Sequence, residues 1–159
     1  MSRSTDTGRA AGTAAAFAAG AAAVLTTHQA VLWALHRAGW APWPAYSLAS
    51  TRPLGVPAVL SAAFWGGVWW AALDPLARRA STPSGTYARA ALLGAVLPNA
   101  VGATLAALGR GQASAQSLGD AGRYKAIASA VAINALWAVT AAALRSATAP
   151  GTAPRTARR

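Results

Sequence analysis

Four stretches of this chain carry no Asp, Glu, Lys or Arg: residues 10–36, 53–73, 90–109 and 126–144. They hold 27, 21, 20 and 19 residues, and a helix needs roughly 20 to cross a hydrocarbon core of about 30 Å. A soluble four-helix bundle would need a charged stripe on each helix to face water, and these windows offer none. The pattern therefore predicts an all-α, polytopic membrane protein of four transmembrane helices. The expected helices run from about Thr13 to His36, Pro57 to Leu76, Tyr87 to Leu108 and Tyr124 to Leu144.

Between these helices the chain turns polar or breaks. Residues 1–12 form a basic N-terminal lead, residues 13–145 the transmembrane domain, and residues 146–159 a basic tail expected to be disordered. The 37–56 segment holds Pro42, Pro44 and Pro53, which prevent a continuous helix there. Its Trp40, Trp43 and Tyr46 are amphipathic rings that settle at headgroup level. Ser81–Gly85 reads as a turn, and Gly109-Arg110-Gly111 as the end of the third helix. The first apolar window is too long for a signal-peptide core and runs on through Leu32 and Leu35, so an uncleaved first helix is expected.

Charge then sets the orientation. With the N-terminus inside, Arg3, Arg9, Arg78, Arg79, Arg89, Arg145, Arg155, Arg158 and Arg159 are cytoplasmic, against Arg37, Arg52, Arg110, Arg123 and Lys125 outside. That nine-to-five bias predicts N-in and C-in. Composition fits the same reading, with 55% hydrophobic and only 11% charged residues, against about a quarter charged in soluble domains. The mean hydropathy of +0.34 is held down by Ala and Gly. A net charge of +11 would suit nucleic acid, but the basic residues flank apolar spans or sit in the tails, so no nucleic-acid partner is expected. The basic tail suits anionic lipid headgroups instead. The absence of cysteine excludes disulfides, thiol chemistry and cysteine metal sites.

The block Pro53-Leu54-Gly55-Val56-Pro57, followed by Leu60-Ser61 and Ala63-Phe64-Trp65-Gly66-Gly67, has a familiar form. With His28-Gln29 and Ile133-Asn134-Ala135-Leu136-Trp137, it resembles a group of uncharacterised bacterial inner-membrane proteins of about this size and four spans. That group has Trp-Gly soon after the paired glycines, where this chain has Trp69-Trp70. The resemblance covers about residues 17–145. It implies the topology and a bacterial inner-membrane location, and it implies no activity.

Inside the spans, the polar residues are the candidates for function, because polar groups in hydrocarbon are costly. His28 and Gln29 lie in the first helix, Asn99 in the third and Asn134 in the fourth. His28 reads first as a neutral histidine hydrogen-bonded between helices, and second as a proton relay or ligand contact. A haem clamp fails, because His36 lies about 12 Å along the same helix. Pro98 frees the Gly94 carbonyl and should kink the third helix, with Asn99 placed to satisfy the backbone or to reach His28 or Asn134. The run Phe64, Trp65, Gly66, Gly67, Val68, Trp69 and Trp70 puts large rings and paired glycines mid-span. It reads as a packing knot or homodimer contact, or else as a pocket for a lipid tail or other apolar ligand.

No catalytic constellation, metal set or cofactor motif stands out. The three carboxylates, Asp6, Asp74 and Asp120, all fall at span ends or in polar segments. The expectation is a non-enzymatic integral membrane protein, structural, accessory or self-associating. The alternative is a small permeation or lipid-handling protein lined by His28, Gln29, Asn99 and Asn134.

Overall fold

The computed structural model describes residues 3–107 and 119–148. The expected Gly109-Arg110-Gly111 helix end, most of the loop after it and the tail from residue 149, with Arg155, Arg158 and Arg159, lie outside those residues. In chain order the elements are α1 (Arg3–Ala23), a π-helical turn (Val24–His28) and α2 (Gln29–Arg37), which together form one continuous rod. A two-stranded hairpin follows, β1 (Ser50–Thr51) and β2 (Val56–Pro57). Then come α3 (Ala58–Ala77), α4 (Pro83–Ala107) and α5 (Asp120–Ala147). The described residues thus form four helical rods and one small hairpin.

Three of the rods are long and apolar enough to cross a membrane: Thr7–Arg37, Pro83–Leu105 and Asp120–Ala147. The second rod, α3, falls short. It is free of charge up to Asp74, but Trp65, Trp69, Trp70, Gly66 and Gly67 stand where aliphatic side chains would, and Asp74-Pro75 ends its apolar run.

Helix ends depart from expectation for local reasons. The first helix begins at Arg3 rather than near Thr13, because no proline interrupts the lead and the helix propagates outward from its Ala-rich span. The Ser81–Gly85 turn is instead the start of α4. Thr82 Oγ1 accepts the Gly85 N–H at 3.1 Å, with Pro83 as the first helical residue, a capped start in which proline lacks nothing it needs. The Pro-Leu-Gly-Val-Pro block forms the hairpin tip and second strand, with Ser50 opposite Pro57 and Thr51 opposite Val56. Gly55 turns it at φ +68°, a left-handed conformation that glycine adopts freely.

The bundle core is built on close backbone approach between α1 and α3. A Cβ on Gly20 would stand 2.5 Å from the Gly66 carbonyl oxygen and the Trp70 Cβ. A Cβ on Gly66 would collide with Val24, and one on Gly67 with the Phe17 ring. Glycine at all three positions lets the helices meet, as small residues do in membranes, where packing drives association. Trp137 of α5 closes the third side. It is buried, its Nε1 donates to the Gly20 carbonyl at 2.9 Å, and Trp70 lies edge-on to it with ring centroids 6.1 Å apart. Across the bundle, Gly94 of α4 plays the same part against Ala138 and the Asn134 carbonyl of α5.

The two ends of the bundle differ. The start of α1 and the ends of α3 and α5 meet at one end, where Arg145 approaches Asp74 and Gly12. At the other, the 38–57 segment folds against the start of α5, with Lys125 Nζ 5.8 Å from the Trp40 ring centroid.

Gly20→Val tests the close approach. It is expected to cost about 1–3 kcal/mol, read as a lower thermal unfolding midpoint by circular dichroism in detergent. Gly102→Ala, where a Cβ meets nothing within 4 Å, is expected to stay within about 0.5 kcal/mol of the parent. Equal losses in both would contradict the packing.

Candidate functional site

The π turn explains where His28 and Gln29 stand. A π turn shifts the register of the backbone ladder and leaves carbonyls around it available to outside donors. Two take outside donors here, and a third takes a hydroxyl of the turn itself. The Gly20 carbonyl takes the Trp137 indole, the Ala22 carbonyl takes Thr26 Oγ1 at 2.8 Å, and the Leu25 carbonyl takes the Tyr46 hydroxyl at 3.3 Å. Thr140 Oγ1 of α5 donates to Thr27 Oγ1 at 2.9 Å in the same turn. The turn is therefore a junction where α5 and the 38–57 segment both attach.

His28 closes that turn and is half-buried. Gln29 is 3% exposed, and its Oε1 accepts the Tyr46 backbone N–H at 2.7 Å. Tyr46 sits at φ 52°, a conformation that disfavours a bulky residue by about 1–2 kcal/mol; its two bonds to the rod hold it there. The Gln29 amide nitrogen stands 3.5 Å from His28 Nδ1, at the limit of a hydrogen bond. His36 is engaged elsewhere, its Nδ1 2.9 Å from the Ala41 carbonyl oxygen at the end of α2. His36 thus meets the segment that follows the first rod directly, and His28 stands next to Gln29, which bonds that segment.

Asn99 and Asn134 form a separate pair. Asn134 Nδ2 donates to Asn99 Oδ1 at 3.0 Å, and Asn99 Nδ2 donates to the Ala95 carbonyl at 2.8 Å. Of the partners open to Asn99, the structure selects Asn134, together with a backbone carbonyl one residue past the Gly94 oxygen that Pro98 frees. α4 continues through Pro98. No hydrogen bond joins this pair to His28 or Gln29 among the described residues. The four polar residues are two networks: His28 and Gln29 tie the first rod to the 38–57 segment, and Asn99 and Asn134 tie α4 to α5.

The aromatic and glycine run also divides. Gly66, Gly67 and Trp70 face the core, Trp69 is half-buried, and Phe64 and Trp65 are more than half exposed. Phe64 makes edge-on contacts with Phe17 at 5.8 Å and Trp65 at 5.5 Å. The indole N–H of Trp70 is buried without a hydrogen-bond partner among the described residues, so its place is set by packing.

One constellation escaped the sequence reading. Asp74, 7% exposed in the last turn of α3, carries a negative charge at the helix end where the dipole disfavours it. Arg78 Nη1 lies 3.9 Å and Arg145 Nε 3.7 Å from its Oδ2. These three residues line a cavity of about 290 Å³ with Arg9, Gly12 and Thr13 of α1. The signal was available: Asp74 and Arg145 directly follow the second and fourth charge-free windows, so two helices running the same way place them at one end. Among the described residues no group of three or more His, Cys, Asp or Glu is placed to hold a metal. Chemically, the arrangement offers hydrogen-bonded helix contacts, an outward aromatic face and a cationic end.

No family model, curated protein or solved structure matches this chain.

The asparagine pair is testable by a double-mutant cycle with Asn99→Leu and Asn134→Leu, unfolding in mixed detergent. A coupling of roughly 0.6 kcal/mol, the usual size for such a bond in a membrane, is expected. Strictly additive costs would show that the two amides do not support each other.

Proposed function

We propose that this chain is a four-span integral membrane protein, N-in and C-in, of a bacterial inner membrane, with a non-catalytic accessory or self-associating role. The observation carrying the non-catalytic reading is where the intramembrane polar groups go. Asn99 bonds Asn134, Thr140 bonds Thr27, Trp137 bonds the Gly20 carbonyl, and Gln29 bonds Tyr46. Each is consumed in holding helices or a loop. A permeation path needs polar groups in one continuous file, and here they lie in separate networks.

The fourth span is supported by packing. α3 lies against the first rod through Gly20, Gly66 and Gly67, so a membrane that contains the first rod contains α3 beside it. The nine-to-five arginine and lysine bias supports the orientation. Self-association is supported by the exposed Phe64 and Trp65 on the outer face of α3.

A second reading, lipid handling, has one specific observation in its favour. An open groove of about 680 Å³ runs between α1 and α3, lined by Ala10, Thr13, Ala14, Phe17, Val68 and Ala71, with Arg9 at its end. That volume lies in the range of sites that take small apolar ligands.

Because the chain has no cysteine, single cysteines report topology cleanly. Ser50→Cys is expected to react with a membrane-impermeant maleimide in intact cells, and Ser84→Cys only after permeabilisation. Labelling of residue 84 alone from outside would reverse the orientation. Labelling of both from one side would show that α3 does not cross.

A further inference from the structure

The arginine-lined cavity and the apolar groove are two parts of one surface. Both are lined by Arg9, Thr13 and Ala71. The groove runs along α1 and α3 past Phe17 and Val68, and it ends where Arg9, Arg78 and Arg145 converge. Three cations face a single carboxylate there, Asp74. Its contacts with Arg78 and Arg145, at 3.9 and 3.7 Å, are longer than hydrogen bonds. The Arg145 Nε is buried and has no hydrogen-bond partner among the described residues. Guanidinium donors with charge to spare, in a partly enclosed site, match a phosphate group.

We propose that this surface binds one anionic glycerophospholipid, with its phosphate between Arg9, Arg78 and Arg145 and an acyl chain along the α1–α3 groove. The proposal rests on the membrane reading above and deepens its lipid-handling form. A phospholipid presents an anion and an apolar chain in the order in which the protein presents arginines and groove. The end of the bundle is right as well: with both termini inside, the site lies at the cytoplasmic leaflet, where anionic lipids create a negative surface potential. A free phosphate compound would leave the apolar groove unfilled. The chain's own tail, with Arg155, Arg158 and Arg159, and a second copy's cationic end both carry the wrong sign. Arg145 reaches across to α1 here, its Nη2 3.8 Å from where a Cβ on Gly12 would stand, an ordinary contact.

The test uses the full-length protein in a neutral detergent, with bound lipids counted by native mass spectrometry. Phosphatidylglycerol is expected to bind at one molecule per chain, about tenfold more tightly than phosphatidylcholine. Arg9→Gln, which touches neither contact of Asp74, is expected to weaken phosphatidylglycerol severalfold without changing the melting midpoint, and Arg145→Gln to weaken it more. Arg79→Gln, an equal loss of charge at the same end but outside the cavity, is expected to stay within about twofold. Ala14→Trp, which fills the groove and leaves the arginines alone, is expected to weaken the lipid as well. Equal binding of the two lipids would overturn the proposal, as would equal losses from Arg79→Gln and Arg9→Gln, which would mean diffuse charge attraction. Competition by inorganic phosphate at the same concentration as the lipid would make the ligand a free anion. The cysteine labelling at residues 50 and 84 reads the four-span topology independently, so failure here and failure there are told apart.

Discussion

Everything in this bundle depends on two helices touching backbone to backbone. Gly20 of α1 and Gly66 of α3 leave no room for even one methyl group between them. In a membrane the hydrophobic effect does not press helices together, so contact area and hydrogen bonds decide which helices pair. The glycine contact supplies the area, and the Trp137 indole supplies the bond by donating to the Gly20 carbonyl. A donor buried in hydrocarbon with no acceptor would cost several kcal/mol, so Trp137 fixes the depth and rotation of α5 as well as its distance. Trp70, packed edge-on against it, locks the remaining face of α3.

The π turn follows from the same junction. It lies one helical turn past Gly20 and opens backbone acceptors along a rod that would otherwise bond only to itself. α5 reaches it through Thr140, and the 38–57 segment reaches it through Tyr46. One irregular turn thus ties the core to the loop. At the opposite end the helices close on charge, where Asp74 sits among arginines from its own helix and from α5. The bundle is therefore polar in two ways. One end spends its polar groups on shape, and the other keeps cationic capacity over.

Much of the helical layout was legible because charge-free windows are a direct record of what hydrocarbon excludes. The glycines and tryptophans of α3 were legible as a cluster, since Gly66-Gly67 beside three Trp has few other uses. Which ring faced where was not. Residues 64–70 show every ring, but only the partner glycine on α1 decides that Trp70 turns inward while Phe64 and Trp65 turn outward. The π turn left a faint trace in Thr26-Thr27, whose hydroxyls bond back to backbone and across to α5. The grouping of His28, Gln29, Asn99 and Asn134 as one cluster came from their shared rarity in apolar windows. Rarity says nothing of proximity, and the hydrogen bonds sort them into two networks. The Asp74–Arg145 approach joins residues 71 positions apart and needed the helix directions before it could be seen.

The most direct test of this arrangement is the Trp137–Gly20 bond itself in a lipid bilayer. With 15N on the tryptophan indoles and 13C on the glycine carbonyls, solid-state NMR dipolar dephasing reads the Nε1-to-carbonyl-carbon distance. A hydrogen bond of 2.9 Å between nitrogen and oxygen places that carbon at about 4 Å. Strong dephasing of one indole, lost in the Trp137→Phe protein, is the expected result. An unchanged dephasing pattern in that variant, or no indole within about 6 Å of a glycine carbonyl, would show that α5 is not held to α1 in this way.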